Sequence, residues 1–197
     1  MELDVAALKA RLARATSMET VYGDDAAAER AAAASTPAAV LVPIIAHRDG
    51  PTVLFTRRTV HLKAHSGQVS FPGGRAEPDD ATPEITALRE AEEEIGLARS
   101  RVEVIGRLPE YLTRTGFRVT PVIGVIQPPL ELVPDAREVD EVFEVPLAFL
   151  MDARNHQRAT REFAGRTAAF YLIEHEGRTI WGATAGMLVN LYRRIAA

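Results

Sequence analysis

A pair of glycines leading into a helix that can bury only one side constrains this chain more than any other stretch. The segment runs Gly73-Gly74-Arg75-Ala76-Glu77-Pro78-Asp79-Asp80 and ends in Leu88-Arg89-Glu90-Ala91-Glu92-Glu93-Glu94-Ile95-Gly96-Leu97. Thr82 is placed to cap the helix, Pro83 suits its first position, where a missing N–H costs nothing, and Gly96 suits its end. At about 100° per residue, Leu88, Ala91 and Ile95 share one face. Thr86, Glu90, Glu93 and Glu94 fall on the opposite face, with Arg89 beside Glu93 and Glu92 to the side. One stripe is expected to be buried and the other to be strongly anionic.

The simple account of such a face is solvation. Two features point past it. Like charges three and four residues apart cost an isolated helix a few tenths of a kcal/mol each, and the double glycine lets the preceding backbone pass close to a ligand. Hard divalent cations take carboxylate oxygens of this kind, shared with substrate phosphates.

Gly74, Arg89-Glu90, Glu93-Glu94, Gly96 and Leu97 resemble the signature of the Nudix hydrolases, which cleave nucleoside diphosphates linked to another moiety. The spacing departs from the generic form. One extra residue separates Gly74 from Arg89, so the early acidic position falls on Asp80 or is lost, and the aliphatic slot after Arg-Glu holds only Ala91. Upstream, Leu54-Phe55-Thr56-Arg57-Arg58, Leu62 and His65-Ser66-Gly67-Gln68-Val69-Ser70-Phe71-Pro72 resemble the coenzyme A pyrophosphatase branch, which tolerates that extra residue. The match spans residues 54–97. Thr113, Gly116, Val119 to Gly124 and the run Trp181-Gly182-Ala183-Thr184-Ala185 are also similar to that branch.

Composition sets outer bounds. The 197 residues suit one domain with a substantial core, and 47% hydrophobic with 25% charged residues is ordinary for a globular protein. A net charge of −4 offers no footprint for duplex nucleic acid, and the absence of cysteine excludes disulfides, zinc thiolates and a cysteine nucleophile. No apolar run approaches the ~20 residues that span a bilayer, and the start Met-Glu-Leu-Asp lacks a signal core, so a cytoplasmic protein with no membrane partner is expected. Oligomeric state stays open between monomer and homodimer.

In chain order, residues 4–15 pattern as a short amphipathic helix and residues 25–34 as an alanine-rich one. Residues 1–37 are expected to form a helical extension packed on a domain spanning 38–197. Residues 38–46 are continuously apolar and read as a buried strand, with Pro43 hinting at an edge or bulge. Arg48-Asp49-Gly50-Pro51 turns into a second strand, 52–57. The basic lead-in to the glycines holds candidate phosphate ligands in Arg57 and Arg58, with His65, Gly67, Gln68 and Gly73 beside them. Further strands are expected at 102–108, 118–126 and 138–146, a helical turn at 147–151, a hairpin of 158–163 and 167–174 around Gly165, and a C-terminal helix after Trp181. Arg114 and Arg118 are candidates for an extra phosphate, and Trp181 is read as a core anchor ahead of a base-stacking residue. The fold expected is α/β (α+β), a central mixed sheet flanked by helices, which the resemblance specifies as the Nudix α/β/α sandwich.

The resemblance also implies roles. Glu90 and Glu94 lead as ligands of Mg²⁺ or Mn²⁺, with Glu93 sharing and Gly74 completing the site through its carbonyl. Arg89 orients a glutamate. The general base is Glu93, then Glu162, Glu144 or Glu141. The implied reaction cuts coenzyme A or a derivative into 4′-phosphopantetheine and 3′,5′-ADP. The alternatives are another nucleoside diphosphate derivative, such as ADP-ribose or NADH, and a binding module that does not cleave.

Overall fold

The computed structural model describes residues 4–14, 35–59, 67–163 and 166–196. Its centre is the parallel pairing of β1 (Thr36–Ile45) with β7 (Phe117–Ile126), in register from Thr36 opposite Phe117 to Ile45 opposite Ile126. Between them in sequence lie β2 (Thr52–Arg58), β3 (Val69–Ser70), β4 (Gly73–Arg75), β5 (Val102–Arg107) and β6 (Tyr111–Leu112). β5 and β6 pair antiparallel with β7, while β2 pairs antiparallel with β1, β3 and β8 (Val139–Pro146). The sheet is therefore mixed, as expected.

β1 and β7 have both faces covered, which is why the sequence shows apolar runs in place of alternation. On one face Ala39, Leu41, Ile45, Val122 and Ile126 pack against Ala87, Ala91 and Ile95 of the helix Pro83–Ile95. On the other, Val42, Ile44, Ile123 and Val125 share a core with α1 (Val5–Arg14) and the C-terminal helix Ala183–Ala196. Numbering in chain order, these two helices are α2 and α4, with the single turn Leu147–Leu150 as α3. The layers are α/β/α. Leu8 and Leu12 of α1 are buried in that core, and Arg11 donates to the Ile195 carbonyl at 2.6 Å.

Pro43 lies neither at an edge nor in a bulge. The Leu41 N–H donates to the Pro72 carbonyl, so the backbone N of Pro43, two residues on, faces the same side. There β1 changes partner: Ala38 to Val40 pair with β4, and Ile44 and Ile45 pair with β2. The missing N–H falls between the two ladders, where no acceptor awaits it. β1 and β2 separate at this point, and the chain bends through Phe71–Pro72 from β2, which holds β3, to β1, which holds β4.

A second sheet was legible only as a hairpin. β9 (Gln157–Phe163) and β10 (Arg166–His175) pair antiparallel, and β11 (Arg178–Trp181) adds a third strand before α4. The expected helix at 25–34, Gly165 and His65 lie outside the described residues.

Candidate active site

α2 begins at Thr82, whose hydroxyl accepts from the Ile85 N–H, and stops at Gly96 in a left-handed conformation (φ 68°) that returns its N–H to the last turn. The caps fix the angular position of every glutamate. The anionic face is not uniformly solvated: Thr86 and Glu94 on it are buried, at 0% and 6% exposure. The helical wheel supplies an angle but not what covers it, and here β4 and Arg58 cover it.

Glu94 is held by the Gly73 N–H at 3.2 Å and by Arg58 at 3.6 Å. Burial raises its carboxyl to about 8, against the lowering by Arg58 and the Gly73 N–H. Glu90 is raised too, chiefly by burial and against its pairing with Arg89. Its carboxylate rests directly on Gly74, where a Cβ would sit 2.5–2.6 Å from it. Glu93 is 59% exposed and pairs with Arg89 at 3.1 Å.

Arg89 is the hub of this face. It reaches Glu90 and Asp80 at 2.9 Å each, Glu93, and the Arg75 carbonyl at 3.1 Å. Asp80, the residue at the displaced acidic position, is an anchor for this guanidinium, which lowers its carboxyl to about 2. It also accepts from the Glu77 N–H, which closes the loop between the glycines and α2.

Gly73 and Gly74 open onto a cleft of about 670 Å³. Arg58, Gln68 and Gly73, candidates for substrate contact, line it, together with Gly74, a candidate metal ligand, and Arg114. Arg75 and Arg161 line it as well and were missed; Arg75 lies over the Phe117 ring at 5.7 Å. Arg57, adjacent to Arg58 across a strand irregularity, turns the other way and pairs with Asp140 at 2.9 Å and Glu141 at 3.1 Å. Arg118 is not among the lining residues and lies 3.5 Å from Glu110. Gly67 makes the turn into β3, its N–H donating to the Arg58 carbonyl. Glu162 is exposed and outside the lining, next to Arg161, as strand alternation requires. Glu144 is engaged by His47 at 2.7 Å and by Thr52, and Glu141 by Arg178 at 2.6 Å.

Trp181 is a correction. It is 37% exposed and forms part of the cleft wall, with Phe170 edge-on at 5.8 Å. Glu138 is an addition: it lies 3.9 Å from Arg58, and its charge helps raise both Glu90 and Glu94. The signal for it was the pairing of β8 with β2, which puts Val139 opposite Arg58 and is invisible to local pattern.

The NUDIX domain family model matches residues 35–164, about two thirds of the chain. The chain belongs to the Nudix hydrolase family. It is 42% identical over 158 residues to a protein of Escherichia coli K12 described as uncharacterized Nudix hydrolase NudL, covering 80% of this chain and 82% of that one. The NudL of Shigella boydii serotype 4 is 43% identical over the same length. Among solved structures, the Nudix hydrolase RenU of Mycobacterium smegmatis, named there as M. Smegmatis, superposes with a TM-score of 0.52 at 22% identity, covering 82% of this chain and 86% of that one. A MutT/nudix family protein from Enterococcus faecalis superposes at 0.53 with 14% identity, covering 100% and 76%. Both likenesses are of fold.

This Nudix hydrolase is thus a pyrophosphatase of nucleoside diphosphate derivatives, and its family works with divalent metal ions. The donors fit such an ion. Burial raises the carboxyls of both Glu90 and Glu94, so each favours a further positive partner, and their oxygens are the type hard cations take. No three acidic or histidine side chains converge on one point among the described residues. Opposite charges hold them apart: Glu90 and Glu93 are drawn to Arg89, and Glu94 to Arg58. Among the described residues no helix is long and apolar enough to cross a membrane.

Proposed function

We propose that this Nudix hydrolase cleaves the phosphoanhydride of coenzyme A or a derivative to 3′,5′-ADP and 4′-phosphopantetheine, using Mg²⁺ or Mn²⁺. The observation that supports this best is the set of four arginines, Arg58, Arg75, Arg114 and Arg161, on one cleft whose remaining wall is largely apolar. A diphosphate alone needs less positive charge than that. A substrate with a third phosphate on its ribose and a long uncharged arm matches both halves. The resemblance of residues 54–97 to the coenzyme A branch points the same way.

In this proposal Glu90 and Glu94 hold the metal, with Glu93 and the Gly74 carbonyl completing its surroundings. When bound, the ion screens phosphate charge and lowers the pKa of a water molecule. Arg89 fixes the directions of Glu90 and Glu93, and Arg58 exchanges its pairing with Glu94 for a substrate phosphate. Glu93, the most exposed of the three, takes the proton as water adds to one phosphorus and the bridging oxygen leaves with the other. Residues 38–197 form the catalytic domain, with 1–37 as an extension packed on it through Leu8 and Leu12.

The test is incubation with Mg²⁺ and coenzyme A, ADP-ribose, NADH or nucleoside triphosphates, with products separated by chromatography. Coenzyme A is expected to yield the two named products. Preference for ADP-ribose would overturn the substrate assignment, and no turnover of any compound would indicate a binding module.

A further inference from the structure

We propose that Trp181 is the platform on which the nucleobase of the substrate stacks. This rests on the nucleoside diphosphate part of the reading above and does not require coenzyme A. Among the described residues the exposed large hydrophobic side chains are Ile85, Val104, Val133 and Trp181, and of these Trp181 alone lines the cleft. An indole left open to water beside arginines is suited to a flat, polar-edged ring.

A short run of contacts links it to the phosphate end. Glu94 contacts Arg58 at 3.6 Å, and the Arg58 N–H donates to the Gln68 carbonyl at 3.1 Å. A Cβ on Gly182, the residue after Trp181, would sit 3.9 Å from the Gln68 side-chain nitrogen. Arg58, Gln68 and Trp181 thus line one continuous cleft, so a nucleotide whose phosphate is drawn to Arg58 has the indole within the same space. The backbone that carries the ring is held on both sides of it. Trp181 pairs with Leu172, the Gly182 N–H donates to the Tyr171 carbonyl at 3.0 Å, and the Thr184 hydroxyl donates to the Val69 carbonyl at 3.2 Å. Stacking reads a π-face more than an edge, so purines are tolerated without strong discrimination.

Trp181 is the one tryptophan of the chain, so intrinsic fluorescence reports on it alone. ADP and 4′-phosphopantetheine are titrated separately into the EDTA-treated full chain, following emission and, in parallel, heat. ADP is expected to quench the emission and phosphopantetheine to leave it unchanged. Trp181→Ala should weaken ADP binding by about 5- to 150-fold, as loss of one base stack does, and raise KM for the preferred substrate with little change in kcat, while Trp181→Phe restores most of the affinity. The proposal is overturned if ADP binds without an emission change, if ADP does not bind the wild-type chain, if Trp181→Ala binds ADP like wild type, or if only phosphopantetheine is sensed. Failure to hydrolyse coenzyme A with ADP quenching intact would refute the substrate assignment and leave the platform standing.

Discussion

Arg58 lines the cleft and at the same time stands 3.6 Å from the buried carboxylate of Glu94. One guanidinium thus compensates the charge at the back of the site and faces the space where a polyanion enters. Glu94 is therefore sensitive to whatever else brings positive charge nearby, and under the proposed role metal and proton compete for it.

The metal-free protein should lose stability as pH rises from about 4.5 to about 8. Glu94 holds its proton up to about 8 in the fold and gives it up near 4.5 when unfolded. The folded state binds more protons in that window, so raising pH favours unfolding. Thermal unfolding in EDTA should show this decline, Mg²⁺ should flatten it, and Glu94→Gln should flatten it without metal while losing most turnover and metal affinity. An unchanged slope in Glu94→Gln would place the buried charge elsewhere.

Glu138→Gln should weaken Mn²⁺ binding measured by calorimetry while leaving the unfolding midpoint nearly unchanged. The side chain is half exposed and adds negative charge to Glu90 and Glu94 from the neighbouring strand. Equal metal affinity in the two proteins would show that its charge is screened.

Alanine at the two glycines should separate folding from chemistry. At Gly73 a Cβ would meet the backbone of Ala39 and Val40 at 2.5–2.6 Å, which cannot move without breaking the ladder. At Gly74 the nearest atoms it would meet all belong to the Glu90 carboxylate, the end of a flexible side chain. Gly73→Ala is expected to unfold at much lower denaturant. Gly74→Ala should keep near-native stability and lose activity through displacement of Glu90.

Asp80→Asn should destabilise by about 3 kcal/mol, the scale of breaking a buried ion pair, because Arg89 is 11% exposed and Asp80 only 5%. The guanidinium holds the Asp80 carboxyl near 2, so the contribution is present at neutral pH and lost as pH falls toward 2. Denaturation at pH 7 and pH 2.5 should show a large difference between the two proteins at the first and a small one at the second.

What could be read from sequence follows the range of the forces involved. The capped helix, the doubly buried β1 and β7 and the hairpins rest on neighbours in sequence, and the structure has each of them. The site needed contacts between distant strands. Nothing local tells Arg58, which faces Glu94, from Arg57, which faces Asp140. The burial of Glu94, the approach of Glu138 and the opening of Trp181 to the cleft depend on β3, β4, β8 and the second sheet meeting around α2 and α4. Tryptophan is usually interior, so its composition-based assignment erred where the fold leaves a wall uncovered.

The change of partner along β1 at Pro43 has a consequence for how such a site can diversify. The glycines beneath the carboxylates belong to one ladder, the arm through Val69 and Ser70 belongs to another, and the aromatic wall belongs to a separate sheet. Changing the side chains of β11 alters the wall of the cleft without removing a rung beneath Glu90 and Glu94. Under the proposed roles, reaction and selectivity draw on separate ladders joined through Arg58, so the aromatic wall can be re-engineered while the carboxylates stay in place.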